Sequence, residues 1–279
     1  MVIMNKLSTE KRAAVVRCLV DGCSIRATCR ITGVAKNTVV KLLVDLGEAC
    51  QAFHDRSVKG VQSKSLQMDE QWAFVGSKEK NTPPERKAEG RGDVWTWVCI
   101  DRDTKLVVSW LTGDHGADEA DAFVHDVRER TVGHVQITTD NLNRYRIPIQ
   151  EAFGREAAYA RMHKVYMTDR RNPDTKYSPA QCIGCHVQVM QGDPDPALIT
   201  TSHVERVNLT TRMNMRRMTR LTNAFSKKLD NLRHAMALHF VYYNYCRVHM
   251  TLKMTPAQAS GLADKAMKIE DLIGFLDSN

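Results

Sequence analysis

Hydrophobic and polar positions follow a helical period over the first fifty residues. Residues 8–21 open with a Ser or Thr cap and an early acid, and their apolar positions recur at helical spacing. Residues 24–47 combine a short helix, a tight turn at Gly33 and a second helix, which is typical of a helix-turn-helix. The residues predicted to meet DNA from the start and outer face of that second helix are Ala35, Lys36, Asn37, Thr38 and Lys41. A small helical bundle with a basic surface is the alternative.

The pattern changes to strands after a polar stretch, residues 48–65, which we interpret as a linker. β-Branched and aromatic runs predict strands over 66–76, 94–101 and 105–114, with a basic loop over 77–93. The elements predicted after them are helix 117–130, strand 134–140, helix 143–154, strand 157–166, a loop and hairpin region over 167–199, a helix opening near 200 and a helix over 230–246. The order βββ-α-β-α-β-α predicts an α+β or α/β fold, a mixed sheet with helices on its faces.

The net charge of the chain indicates which class of molecule it binds. The 279 residues contain 40 Lys and Arg against 32 Asp and Glu, which gives a net charge of +8 and favours a polyanion such as nucleic acid. Apolar runs are far shorter than a membrane span, and the N-terminal residues include charges where a signal peptide needs an apolar core. We therefore expect a soluble cytoplasmic protein with no membrane partner.

Eight dispersed cysteines fit reduced thiols in a reducing compartment. The segment Cys182-Ile-Gly-Cys185-His186 matches the pattern of c-type haem attachment, but that chemistry requires export, which we do not expect here. A zinc site would need further ligands at short spacing, and the sequence does not supply them. A turn between two short strands is the expected structure of this segment.

Three acids are placed where a sheet and a helix could bring them together. Asp69 lies within the first predicted strand, Asp140 ends the fourth, and Glu205 lies early in a helix that is otherwise rich in arginine. The first and fourth strands of such a sheet are commonly neighbours, so their carboxylates could face each other. Such a cluster is costly unless hard cations such as Mg²⁺ neutralise it. The alternatives are a solvated outward position for Asp69 and a helix-dipole role for Glu205.

The helix that contains Glu205 has two faces at a period of 3.6 residues. The residues of the polar stripe are Glu205, Asn208, Arg212 and Arg216. The apolar residues on roughly the opposite side are Val207, Met218, Leu221, Phe225 and Leu229. We expect the apolar side to face the core and the polar side to face the site.

Four segments resemble the DDE-type bacterial insertion-sequence transposases of the ribonuclease H-like integrase superfamily, and the resemblance covers residues 60–262. The segments are LQMDEQWAFVG, ITTDNLNRYRIPIQEAFG, TSHVERVNLTTRMNMRRMTRLTNAFSKKLDN and YYNYCRVHMTLKMTPAQA. The resemblance implies that Asp69, Asp140 and Glu205 form a catalytic triad that binds two Mg²⁺ or Mn²⁺ ions. It also implies a lining of the site, formed by His203, Asn208, Arg212 and Lys227. Asn141 departs from the family pattern, since many relatives have Gly there.

The resemblance implies a transposase that binds element ends, cleaves DNA and transfers strands, working in the bacterial nucleoid as a dimer or larger assembly on double-stranded DNA. We expect a helix-turn-helix domain (1–47), a linker (48–65), a ribonuclease H-like catalytic domain (66–262) and a C-terminal helical tail (263–279). The expected DNA-binding residues are Lys36, Asn37, Thr38, Lys41, Arg212, Arg216, Arg217 and Arg220. A metal-dependent nuclease or resolvase, or a helix-turn-helix regulator without catalysis, is the alternative.

Overall fold

An N-terminal group of helices precedes a mixed sheet. The computed structural model describes residues 7–167 and 181–277, so the predicted loop over 168–180 lies outside the described residues. The α-helices are α1 (Thr9–Val20), α2 (Ile25–Thr32), α3 (Lys36–Ser57), α4 (Pro84–Lys87), α5 (Ala117–Arg130), α6 (Arg146–Phe153), α7 (Ser202–Asn214), α8 (Leu229–Val241), α9 (Pro256–Ala259) and α10 (Ile269–Gly274). The strands are β1 (Val61–Gln62), β2 (Ser65–Val75), β3 (Gly92–Asp101), β4 (Val107–Gly113), β5 (Thr131–Val132), β6 (Val135–Thr139), β7 (Ala157–Met167) and β8 (Gln181–Gln191).

Side-chain caps stabilise the N-termini of α1 and α2. The Ser8 hydroxyl accepts a hydrogen bond from the backbone N–H of Lys11 at 3.3 Å, and the Ser24 hydroxyl accepts one from Ala27 at 3.1 Å. Each bond satisfies a backbone donor that the first turn of a helix leaves free. Gly33 ends α2 in the left-handed region with a φ of 69°, as its position between two helices requires. Helices α2 and α3 therefore occupy the predicted positions, while their role in DNA binding stays a prediction.

Helix α3 continues beyond its predicted end, and this differs from the expected linker. Residues 48–57 are helical, and Cys50 and His54 are buried on the same face as the earlier apolar positions. Gly47 does not end the helix, and α8 packs directly against it at His234. A Cβ added there would lie 2.4 Å from the Cβ of His234 on α8, so only glycine lets the two helices approach this closely.

The main sheet has the strand order β4-β3-β2-β6-β7-β8 among the described residues. Strands β2, β3 and β4 are antiparallel neighbours, β6 and β7 are parallel to β2, and β8 returns antiparallel to β7. The predicted pairing of the first and fourth strands is confirmed by the parallel β2–β6 contact. The core beside this sheet contains Trp97, Phe123, Tyr145 and Phe240, all with no exposed surface. In the described ranges, no helix combines the length and apolarity needed to span a bilayer.

The segment from Cys182 to His186 is not the predicted turn. It lies inside β8, and Gly184 pairs with Val165 of β7. Glycine weakens a strand by itself, but here the neighbouring strand β7 supplies the backbone hydrogen bonds. Both Cys182 and Cys185 are exposed.

The apolar side predicted for the Glu205 helix holds only over its first part. Helix α7 ends at Asn214, and the next residues turn so that Met215 and Met218 enter the core. Leu221 has a φ of 57° and a fully exposed side chain. Arg216 and the apolar residues after it therefore do not continue the faces of α7. The loop predicted over 77–93 also contains a 3-10 turn (Glu79–Asn81) and helix α4, which begins at Pro84 because proline is tolerated at the first position of a helix.

The two ends of the described chain meet. The Arg12 guanidinium on α1 donates two hydrogen bonds to the Asp277 carboxylate, at 3.1 and 3.0 Å. Helix α10 packs beside α1, and α3 packs against α8. The predicted division into domains stays a prediction, but these contacts join the N-terminal helices to the rest of the chain.

Candidate functional site

The end of a short strand brings two predicted acids together. Pairing between β2 and β6 ends at Met68 and Thr139, so Asp69 lies just beyond the paired segment and Asp140 follows β6 directly. Among the described residues, one oxygen from each of Asp69, Glu70 and Asp140 lies within 4.8 Å of the others. The sheet therefore gathers three carboxylates at one edge, two of them predicted and one not.

Burial and mutual repulsion disfavour the ionised form of two of these acids. Burial raises the pKa of Asp69 to about 7, and the Asp140 carboxylate adds to the increase. Burial likewise raises the pKa of Glu70 to about 8, with Asp140 again contributing, while the Tyr145 hydroxyl acts in the opposite direction. A carboxyl group shifted this far would be stabilised as an anion by a bound cation.

Glu70 is the acid that sequence reasoning missed. Its side chain is 5% exposed, and its Oε2 lies 3.8 Å from Nε2 of His115. Within the described part of the chain, its Oε1 has no hydrogen-bond partner of good geometry. The fully buried hydroxyl of Tyr145 lies close enough to act on this carboxyl. Alternation along a strand predicts that Glu70 points away from Asp69, and this prediction separates the two acids. The signal that was present is two adjacent acids inside one strand.

Helix α7 is tied to β2 at its N-terminus by a buried glutamine. Oε1 of Gln67 accepts hydrogen bonds from the backbone N–H groups of His203 and Val204, at 3.0 and 3.1 Å. These are donors that the first turn of a helix cannot satisfy by itself. Gln67 therefore fixes the position of the helix start from which Glu205, the next residue along the chain, extends.

Glu205 points toward this region but is held by other partners. Its Oε1 accepts hydrogen bonds from Nζ of Lys164 on β7 and from the Thr201 hydroxyl, the latter at 2.7 Å. Its carboxylate contributes to the raised pKa of Asp69, so the two charges interact. Glu205 does not belong to the close carboxylate group found among the described residues. The structure thus brings Asp69 and Asp140 together and leaves Glu205 ion-paired beside them.

Asn208 connects the polar side of α7 to the acids. Its Nδ2 donates to Oδ2 of Asp69 at 2.7 Å, and its Oδ1 accepts from Nε2 of Gln71 at 2.5 Å. Asn208 is buried, so this face of the helix packs on β2 rather than pointing into solvent. Arg212 follows one turn later, and its guanidinium lies 3.5 Å from the carbonyl oxygen of Trp72. Both residues were predicted to line the site.

The other two predicted lining residues have different neighbours. Nδ1 of His203 lies 3.2 Å from Nζ of Lys105, and burial together with that ammonium group lowers the pKa of the imidazole. The ammonium group of Lys227 lies 3.2 Å from the centroid of the Phe225 ring, a cation–π contact. Their part in the site stays a prediction.

A basic groove separates the start of α3 from the segment after α7. Its volume is about 1030 Å³, and Lys36, Asn37 and Lys41 line one side. Residues of the other side include Arg216, Arg217, Lys227 and Lys228. Thr38 and Arg220 are exposed, whereas Arg217 donates to the Ser226 hydroxyl at 2.7 Å and burial lowers its pKa to about 10. The groove therefore places two predicted DNA-binding segments face to face.

Comparisons with known proteins assign no family. No protein-family model matches the chain, and no curated protein matches it. One solved structure with detectable similarity is the cryo-EM structure of a piggyBac transposase synaptic complex with hairpin DNA, at 11% identity and a TM-score of 0.38. That match covers 99% of this chain and 73% of the other. A similarity of this size does not decide function, which has to be argued from the site.

Proposed function

We propose that the protein is a DDE-type transposase that binds the ends of an insertion element, cleaves them and joins them to new DNA. The observation that supports this most is the position of Asp69 and Asp140 at the ends of adjacent parallel stretches of β2 and β6, beside the helix that contains Glu205. The element order β2-β3-β4-α5-β6-α6-β7, with β8 added before α7, agrees with the ribonuclease H-like fold that the sequence resemblance implies.

The donor set fits a hard divalent cation. Carboxylate oxygens are the ligands that Mg²⁺ and Mn²⁺ prefer, and Asp69, Glu70 and Asp140 supply them within a small volume. Oε1 of Glu70 is buried without a hydrogen bond among the described residues, which is costly unless a proton or a cation compensates. When bound, two such ions would stabilise the attacking and leaving oxygens of a phosphodiester. Asp69, Asp140 and Glu205 would hold them.

The other residues of the site orient these ligands. Asn208 fixes one oxygen of Asp69, and Gln71 fixes Asn208 in turn. Gln67 anchors the start of α7, so the position of Glu205 relative to β2 depends on it. Residues that act through a ligand in this way commonly change metal affinity by about 10- to 100-fold when they are removed.

Double-stranded DNA is the proposed partner, and the basic groove is its proposed binding surface. Lys36, Asn37 and Lys41 would contact the element end from α3, while Arg216 and Lys228 would contact phosphates nearer the acids. Since two ends must be held at once, we propose a dimer or a larger assembly as the active form.

A DNA-joining assay tests the proposal. Purified protein is incubated with Mg²⁺ or Mn²⁺ and linear DNA that carries the sequences flanking its own reading frame, and joined products are detected by sequencing. We expect joining with the wild type, and none with Asp69→Ala or Asp140→Ala, which should still bind the ends. Glu151→Gln, at an exposed acid on α6, is the matched control and should join normally. Hydrolysis without joining would instead indicate a nuclease, and normal joining by Asp140→Ala would refute the proposal.

A further inference from the structure

Glu70 reaches the predicted metal site although it lies next to Asp69 in the same strand. Adjacent side chains of a strand point to opposite faces of the sheet. Here the pairing of β2 with β6 stops at Met68, so Asp69 and Glu70 both lie beyond the end of β6. One oxygen of Glu70 consequently lies within 4.8 Å of oxygens from both Asp69 and Asp140.

The surroundings of Glu70 leave its carboxylate incompletely satisfied. The side chain is 5% exposed, and Oε1 accepts no hydrogen bond in the part of the chain that the structure describes. The Tyr145 hydroxyl beside this carboxyl is fully buried, and it has no second partner among those residues. His115 faces the other oxygen, Oε2, at 3.8 Å, and its ring stacks on Trp95 at a centroid distance of 4.1 Å. A buried polar group without a partner requires a ligand or a compensating proton.

We propose that Glu70 is a ligand of the divalent cation bound by Asp69 and Asp140, so that β2 and the end of β6 hold this cation before DNA is present. The inference rests on the proposed function, because it adds a ligand to the same site. Glu205 is not needed for this first binding event, since its carboxylate is paired with Lys164 in the free protein. The alternative is that Glu70 only supports the local structure through Tyr145 and His115.

Direct measurement of Mn²⁺ binding separates these two roles. The full-length protein is titrated with Mn²⁺ in the absence of DNA, and the free ion is followed by its electron paramagnetic resonance signal. We expect Glu70→Gln to weaken Mn²⁺ binding by about tenfold or more, the range seen when a residue that tunes a metal site is lost. Glu151→Gln, the exposed acid on α6, should bind Mn²⁺ like the wild type. Asp140→Asn should lose affinity as well, because it removes a proposed ligand directly.

The outcomes also distinguish this inference from the proposed function. Wild-type affinity in Glu70→Gln, together with weak binding by Asp140→Asn, would overturn the role of Glu70 and leave the proposed function standing. Failure of the wild type to bind Mn²⁺ at millimolar concentration would overturn both. If Glu70→Gln does not fold, Glu70→Asp keeps the charge and shortens the side chain by one methylene. Unchanged affinity in that variant would then overturn the inference, and a clear loss would support it.

Discussion

The metal-free protein should lose stability as the pH rises, because its carboxylate cluster resists ionisation. In the unfolded chain Asp and Glu ionise near pH 4, whereas in the folded protein the pKa of Asp69 is raised to about 7 and that of Glu70 to about 8. Between these limits the folded state binds more protons than the unfolded state. Rising pH therefore lowers the free energy of unfolding until it passes the folded pKa values.

The size of this effect follows from the linkage relation. Each group costs about 1.4 kcal/mol per pH unit while only the folded state keeps its proton. Between about pH 6 and about pH 8, Asp69 lowers the free energy of unfolding mainly over the first half of the interval. Glu70 lowers it over most of the interval. Since the two groups titrate as a coupled pair, the combined loss should be on the order of 3 kcal/mol. Glu70→Gln should remove about 2 kcal/mol of that loss.

Buried histidines act in the opposite direction but at lower pH. Burial lowers the pKa of His54 and of His239 to about 3, so the unfolded chain binds more protons than the folded protein between that value and about 6.5. Their contribution to stability therefore rises with pH and is nearly complete only above about pH 7.5. Between about pH 6 and about pH 8 the two histidines together offset on the order of 1.5 kcal/mol of the carboxylate loss. Both histidines are unchanged in Glu70→Gln, so the difference between that variant and the wild type isolates the carboxylate effect.

Urea denaturation in the presence of a chelator, followed by tryptophan fluorescence, measures the effect. The wild type, Glu70→Gln and the control Glu151→Gln are compared at both pH values. An equal change of stability between the two pH values in the wild type and in Glu70→Gln would refute the reasoning. Added Mn²⁺ should reduce the loss in the wild type, since a cation replaces the proton as the compensating charge.

Three further predictions concern the ion pair of Glu205, the start of α7 and the basic groove. Lys164→Met frees Glu205 from a partly exposed ion pair, so it should cost less than about 1 kcal/mol of stability. The same variant should bind Mn²⁺ a few-fold more strongly than the wild type. Unchanged Mn²⁺ binding would show that Glu205 does not reach the cation. Gln67→Ala leaves two N–H groups of α7 without an acceptor and should cost about 1–3 kcal/mol in urea denaturation, and a loss well below that would contradict its anchoring role. Asn37→Ala should reduce the discrimination between element-end and random DNA by about 1–3 kcal/mol. Arg216→Ala should weaken binding to both DNAs alike and reduce the slope of the salt dependence by about one unit. The reverse pattern in a salt series would contradict the assigned roles.

Much of the sheet could be predicted because its signals are local. Strands β2, β3, β4, β6 and β7 follow runs of β-branched and aromatic residues, and their observed bounds lie close to the predicted ones. The neighbouring positions of Asp69 and Asp140 followed from a general rule on strand order, which the β2–β6 pairing obeys. These features need only the period of the sequence and the topology of mixed sheets.

The errors arose where a distant segment decides the local structure. The predicted second helix ends at residue 47, yet α8 packs against Gly47 and α3 continues to Ser57. The turn predicted for Cys182–His186 contains Gly184, yet Gly184 pairs with β7 inside a strand. In the first place the structure uses the missing side chain of glycine, and in the second it accommodates glycine in a ladder. No pattern within the segment itself distinguishes these cases.

The third acid beside Asp69 and Asp140 is Glu70, whereas the predicted third acid, Glu205, is paired with Lys164. Placing Glu205 with the other three carboxylates would put four like charges in one small buried volume, which is strongly unfavourable without cations. In the free protein, burial disfavours the ionised forms of Asp69 and Glu70, and Lys164 pairs with Glu205 outside their cluster. Asp69, Glu70 and Asp140 would hold a cation at the ends of β2 and β6, where its charge would compensate theirs. Glu205 would complete the proposed triad only where Lys164 no longer pairs with it.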